Sequence, residues 1–253
     1  MISNSEWDGI SPVLLARICG LLALGGILTG AFDIGYVQST IVVAGNAQAT
    51  MQNIVAHQTL FRLGFVAHLF EMVLNVGDEV LFFILFRRVN RILATIALFC
   101  GFIGIAVESL NLLNAFVPLL LATGGNSLAA PGGTQTQSWS YLFLQLQDAG
   151  LLISFVFYGL DEMVSGFLIF RSGFLPRVIG VLLGIAGLCY FTHSFLSFLA
   201  PSLDARLYPY ILYACLPGEG STALWMATVG LSLAKWKAWT SGSAQPSLAS
   251  QFA

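Results

Sequence analysis

Long apolar runs limit what this chain can fold into. Six stretches, at residues 12–36, 61–86, 92–122, 139–170, 178–199 and 209–234, are mainly apolar over about 20 residues or more, the length that crosses a bilayer at 1.5 Å rise per residue. Composition supports the reading. Of 253 residues, 57% are hydrophobic and 9% are charged, against about 25% charged in a soluble domain. Mean hydropathy is +0.84, more apolar surface than a soluble core of this size hides, so the lipid bilayer is the expected partner. The expected fold is all-α: a polytopic membrane helical bundle of about six transmembrane helices. It is read as one domain over residues 1–240, followed by a polar tail at 241–253 expected to be disordered. Ser11 and Pro12 read as the N-cap and first position of the first helix.

Charge placement predicts the orientation. Arg17, Arg87, Arg88, Arg91, Arg171, Arg177, Lys235 and Lys237 fall on one side of the spans, and only Arg62 and Arg206 on the other. Loops rich in Lys and Arg stay in the cytoplasm, so both ends are expected inside (N-in/C-in), in a bacterial inner membrane. Trp236 and Trp239 then fit an inner aromatic belt, and Trp139, Tyr208 and Tyr210 an outer one. Residues 47–57, in the first outer connection, read as a short interfacial helix. The Gly-rich stretch at 123–138 reads as a flexible connection. Acidic Glu6 and Asp8, with no basic residue before the first apolar run, do not describe a cleaved signal peptide.

Several functions are excluded early. The net charge of −2 offers no basic face for nucleic acid. No lysine lies in a span, so no retinal-type Schiff base forms there. No zincin, Walker A, nucleophile-elbow or dinucleotide-binding motif is present. Cys19, Cys100, Cys189 and Cys215 all lie in apolar runs and read as small buried residues. Gly26 with Gly30, and Gly180 with Gly184, have the spacing of close helix contacts.

Four segments carry a family resemblance: ARICGLL (16–22), IVVAGNAQATMQNIVAHQTLFRLG (41–64), RRVNRILA (87–94) and GFLIFRSGFLPRVIGVLLGIAGLCY (166–190). In this order they resemble a bacterial membrane family catalogued as domain of unknown function 4386. The resemblance implies a six-helix bacterial membrane protein and brings no established activity. A carboxylate is usual in that pattern where this chain has His68 and His193.

The acids are the anomaly. Asp33, Glu71, Asp78, Glu79, Glu108, Asp148, Asp161, Glu162 and Glu219, nine of the twelve in the chain, fall within the expected spans. An acid at mid-bilayer costs roughly 2.5–3.5 kcal/mol, so each must face the bundle interior, carry a proton or meet a cation. Depth counted along the helices sorts them. His68, Glu71, Glu108, Asp148, His193 and Glu219 are expected to converge in the outer half, about 9–15 Å from the outer edge or about 25 Å from the inner one. His68 with Glu71, and Glu108 with Asn111, have the i,i+3 spacing of one helix face, so a divalent metal is one candidate ligand. Asn111, Asn114 and Gln147 are expected as supporting polar groups. Nearer the cytoplasm, Arg17 is expected to pair with one of Asp78, Glu79, Asp161 and Glu162, locking helices together. Pro217, Gly218 and Gly220 predict a break in the sixth span beside Glu219, of a kind seen at transporter sites.

Three functions follow from these expectations. The first is a transporter or sensor linked to a proton or small cation. The second is a membrane-embedded, metal-dependent enzyme acting on a lipid-like substrate. The third is an accessory structural subunit of a membrane complex. The first is preferred, which leans against an enzyme.

Overall fold

In a computed structural model, residues 11–123 and 133–241 are described. Most of the Gly-rich connection and nearly all of the expected tail fall outside them. The described residues are helical with no strand. Helix α1 runs Pro12–Ile41, α2 Ala47–Ala56, α3 Gln58–Phe86, α4 Arg91–Thr123, α5 Thr134–Ser172, α6 Arg177–Leu199, α7 Pro201–Thr228 and α8 Leu233–Thr240. By length and apolarity, α1, α4, α5 and α6 can cross a membrane. Helices α3 and α7 are also long enough, at 29 and 28 residues, with charged residues spread along them. Outward-facing positions are apolar, with Leu28, Val73, Ile92, Leu110 and Leu199 all largely exposed. A soluble protein avoids such a surface, whereas lipid matches it.

Local chemistry explains several boundaries. Asn46 caps α2 by accepting from Ala49 N at 2.9 Å, so the expected short helix over 47–57 is present. Asn90 caps α4 through Leu93 N at 3.1 Å. Gly173 turns the chain between α5 and α6 at φ +62°, a conformation that favours glycine. Within α1, residues Ala31–Gln38 form a π-helix. Hydroxyls of Ser39 and Thr40 donate to the Tyr36 carbonyl at 3.0 and 2.6 Å, as Ser and Thr do when they bond back along a helix. Such π segments recur at functional sites.

The sixth apolar stretch differs from expectation at both ends and in the middle. It starts at Pro201, because proline suits the first helical position and Asp204 the first turn. It ends at Thr228, where Gly230 at φ +79° closes the helix and the amides of Val229 and Gly230 both donate to Trp225 O. It does not break at Pro217, Gly218 and Gly220. Gly218 serves another purpose. A Cβ there would lie 2.5 Å from Leu182 O of α6, so the glycine allows two backbones to touch. Thr222 Oγ1 also donates to Gly218 O at 2.8 Å, supporting the helix past the proline.

The chain divides into two compact units. Among the described residues, the first holds 11–24, Gly77–Gly101 and 158–241; the second holds Gly25–Val76, 102–123 and 133–157. In the first unit, Phe86 stacks on Phe82 at 4.3 Å and meets Phe174 at 5.6 Å, inside a core that includes Leu168 and Leu175. Helices α5 and α6 pack through glycines. A Cβ on Gly159 would strike Gly187 O, and one on Gly166 would strike Gly180 O, at 2.6 and 2.5 Å. Positions 159 and 166 thus meet 187 and 180 in reverse order, two turns apart on each helix, as an antiparallel pair requires.

The basic segments meet within this unit. Arg88 lies over the Trp236 ring at 4.9 Å, and Ser232 N donates to Phe174 O at 2.9 Å. Trp239 does not stand in a belt. It is buried in the core and its indole N–H donates to Ser172 O at 3.3 Å.

In the second unit, Val37, Ile41, Ile54, Phe61, Leu119 and Leu144 form the core. Here α1 and α3 approach by exchanging acids for glycines. Glu71 of α3 lies over Gly30 of α1, with both oxygens 2.8 Å from where a Cβ would stand. One turn earlier, Asn75 lies over Gly26 in the same way. In return, Asp33 of α1 lies over Gly64 of α3. The Gly26–Gly30 spacing marks a close contact, as expected, made by polar side chains rather than by bare backbone.

Candidate functional site

The site is built around His68, which is 1% exposed on α3. Its Nδ1 lies 2.8 Å from Asp33 Oδ2 of the α1 π segment, and its Nε2 lies 2.9 Å from Glu108 Oε1 of α4. Asp33 and Glu108 are each 5% exposed. Three helices thus meet at one imidazole. Asp33 Oδ2 also accepts from Gln38 Nε2 at 3.1 Å. A neutral imidazole donates from only one nitrogen. Whichever tautomer is present, two contacts of this length require at least two protons among the three groups. Hydrogen bonds of this type, with an ionised partner, are worth about 1.5–3 kcal/mol each.

A polar ladder continues along α4. Asn114 Nδ2 donates to Asn111 Oδ1 at 2.9 Å, and Asn111 Nδ2 donates to Gln147 O of α5 at 2.7 Å. Gly150 leaves room for Asn111 against the α5 backbone. The expected supporting residues Asn111, Asn114 and Gln147 are therefore found together.

The six residues expected to converge do not form one group. His68 and Glu108 meet, and Glu71 lies one turn along α3 over Gly30. Asp148 points outward and is exposed, because the buried face of α5 at this level is held by Gln147. His193 pairs elsewhere in the first unit. Its Nδ1 lies 2.7 Å from Asp204 Oδ1, Ser197 Oγ donates to Asp204 Oδ2 at 2.6 Å, and Tyr208 lies against the ring at 4.9 Å. This cluster clasps the α6–α7 corner. Glu219 is hydrogen-bonded to Glu162 and Tyr190.

The inner cluster is also wired differently from expectation. Arg17 is exposed and makes no ion pair among the described residues; a long basic side chain keeps its head in polar surroundings where it can. Asp78 instead accepts from Cys19 Sγ at 2.8 Å, and Asp161 accepts from Ser165 Oγ at 3.0 Å. Glu79 is hydrogen-bonded to Asp161, its carboxyl lying against Gly101. Two carboxyls bond each other only when at least one carries a proton.

Among the described residues, no group of three or more His, Cys, Asp and Glu side chains is arranged to hold a metal ion. At His68 the reason is visible. Both ring nitrogens are already hydrogen-bonded to carboxylates, so a metal would have to displace one of those contacts.

Sequence reasoning missed Asp33, Gln38, Asp204 and Tyr190 as partners. Asp33 was legible as an acid in a span. With that span ending at residue 36, however, it sits one turn from the edge, while α1 in fact continues to Ile41.

Comparison with known proteins adds little chemistry. An uncharacterised protein of Archaeoglobus fulgidus is 27% identical over 93 residues, 37% of this chain and 51% of that protein. The chain thus spans about half the length of this relative. No solved structure matches. A family model described as a domain of unknown function (DUF4386) matches residues 18–230, from the first turns of α1 to the glycine that closes α7, and the chain belongs to that family.

Proposed function

We propose that this chain is a six-helix protein of the bacterial inner membrane, with both ends in the cytoplasm, that moves or senses protons through Asp33, His68 and Glu108. Helices α3 and α7 are the crossings added to the four apolar ones. At 29 and 28 residues they extend roughly 42–44 Å, beyond the ~30 Å hydrocarbon core. The meeting of basic segments around Arg88 and Trp236 supports a single cytoplasmic side.

The observation that carries the proton reading is the imidazole held by both nitrogens between two buried carboxylates. A proton arriving on Asp33 passes to Nδ1, while the proton on Nε2 passes to Glu108. The ring then holds its proton on Nδ1 and must exchange it back, or turn over, before the next transfer. Histidine suits this work because its unperturbed titration lies near physiological pH. A small cation is less favoured, since the oxygens that would coordinate it are turned onto the ring. The metal-enzyme reading loses its ligand set for the same reason, and because His193 belongs to Asp204.

The test is an imposed pH gradient across proteoliposomes. Wild-type protein is expected to dissipate the gradient or couple it to uptake. His68→Leu is expected to abolish this, and His193→Leu to leave it intact. Unchanged flux through the His68→Leu protein would remove the relay from the route.

A further inference from the structure

Beside the relay, the second unit holds a small, partly open cavity of about 10 Å³, the room one water molecule needs. Phe61, Phe65 and Leu144 form its apolar wall, and its polar lining is Asp33, Gln38 and Gln147. Gln147 is the informative residue. It is 2% exposed, its main-chain oxygen accepts from Asn111, and it lines the cavity. Buried amides nearly always have a partner. This one lines a cavity of single-water size together with a carboxylate and a second amide. Three polar partners fall within the two to four that hold a buried water.

We propose that one water molecule sits here, bridging Gln147 and Gln38 to Asp33, and that it delivers protons to the relay. This rests on the proton reading of Asp33, His68 and Glu108. The step balances simply: the water, protonated from the Gln38 side, gives its extra proton to the Asp33 carboxylate, leaving neutral water and a carboxylic acid. Gln38 is half-buried and is followed by exposed Ser39 and Thr40. The water therefore stands between the exposed end of α1 and the buried ring. Gln147 and Gln38 are positioning residues, because they hold the water and take no proton themselves.

The experiment is pH-difference infrared spectroscopy of the full chain in liposomes, in ordinary water and in water labelled with oxygen-18. In wild type, carboxyl bands that disappear in Glu108→Gln report the relay. A water O–H band that shifts with oxygen-18 reports the bound water. Gln147→Leu, close in size, is expected to lose the water band, keep the carboxyl bands and slow proton uptake about tenfold, or ~1.4 kcal/mol on the barrier. Gln147→Glu keeps the shape and a polar head, so it is expected to keep the band, which covers the case of a misfolded leucine variant. Carboxyl bands without an oxygen-18-sensitive band in wild type overturn the water and leave the relay standing. Bands that appear only when sodium is added also overturn it, making the cavity a cation site. Wild-type carboxyl bands that persist unchanged in Glu108→Gln overturn the relay itself, and the water's role falls with it.

Discussion

In the second unit, Asp33 and Glu108 each face a nitrogen of His68. In the first unit, Glu79 faces Asp161, and Glu162 faces Glu219. Both regions bury acids in long helices, and they compensate them differently. An imidazole between carboxylates has a proton on each side to exchange, and its two states differ by where those protons sit. A carboxyl pair holds one shared proton and needs nothing further. The first arrangement is suited to passing protons. The second is suited to joining helices α3, α5 and α7 without a basic residue, in place of the Arg17 pair that charge alone suggested.

The largest expected effect comes from removing the imidazole. His68→Leu strands two buried carboxyl groups, so besides losing proton flux it is expected to destabilise the protein by about 3–5 kcal/mol, read by thermal unfolding in detergent. A loss below about 1 kcal/mol would mean that Asp33 and Glu108 are compensated by something other than the ring.

Next come the glycines, which sharpen the contrast in packing. A Cβ at Gly166 meets the Gly180 carbonyl and the Gly184 backbone, which cannot move aside alone. Gly166→Ala is therefore expected to cost about 1–3 kcal/mol. At Gly30 the Cβ meets the end of the Glu71 side chain, which can swing away. Gly30→Ala is expected to cost less than Gly166→Ala in the same unfolding assay, and equal costs would contradict the distinction.

Smaller still is Glu219→Gln. The amide keeps the shape and donates the hydrogen bond that a shared proton made. A change under about 1 kcal/mol is expected, with unchanged proton flux, and a lost flux would move the functional site into the first unit. Smallest is Asp148→Asn. Its side chain is exposed, so stability is expected to stay within about 0.5 kcal/mol.

Much of the fold is legible in sequence because it depends on distance along the chain. Apolar length found the helices, basic loops found the end that Arg88 and Trp236 share, and i,i+4 glycines found the close contacts. The site is only partly legible because it depends on rotation about each helix axis. Depth placed His68, Glu108, Asp148, His193 and Glu219 near one level, but Gln147 rather than Asp148 faces inward, and His193 turns to the Asp204 corner. A proline within a glycine-rich stretch also reads as a break, when Gly218 is there to let α7 touch Leu182 of α6. The π segment that sets Asp33 against His68 left no signal in composition or periodicity.

Nitrogen-15 NMR of histidine-labelled protein in lipid bilayers reads directly whether His68 shares protons with both Asp33 and Glu108. The chain has three histidines, so the His68→Leu spectrum assigns the signals. Both His68 ring nitrogens are expected to be hydrogen-bonded, and both signals to change when either Asp33→Asn or Glu108→Gln is introduced. A His68 ring with one nitrogen free of any hydrogen bond, or indifferent to both substitutions, would contradict that sharing.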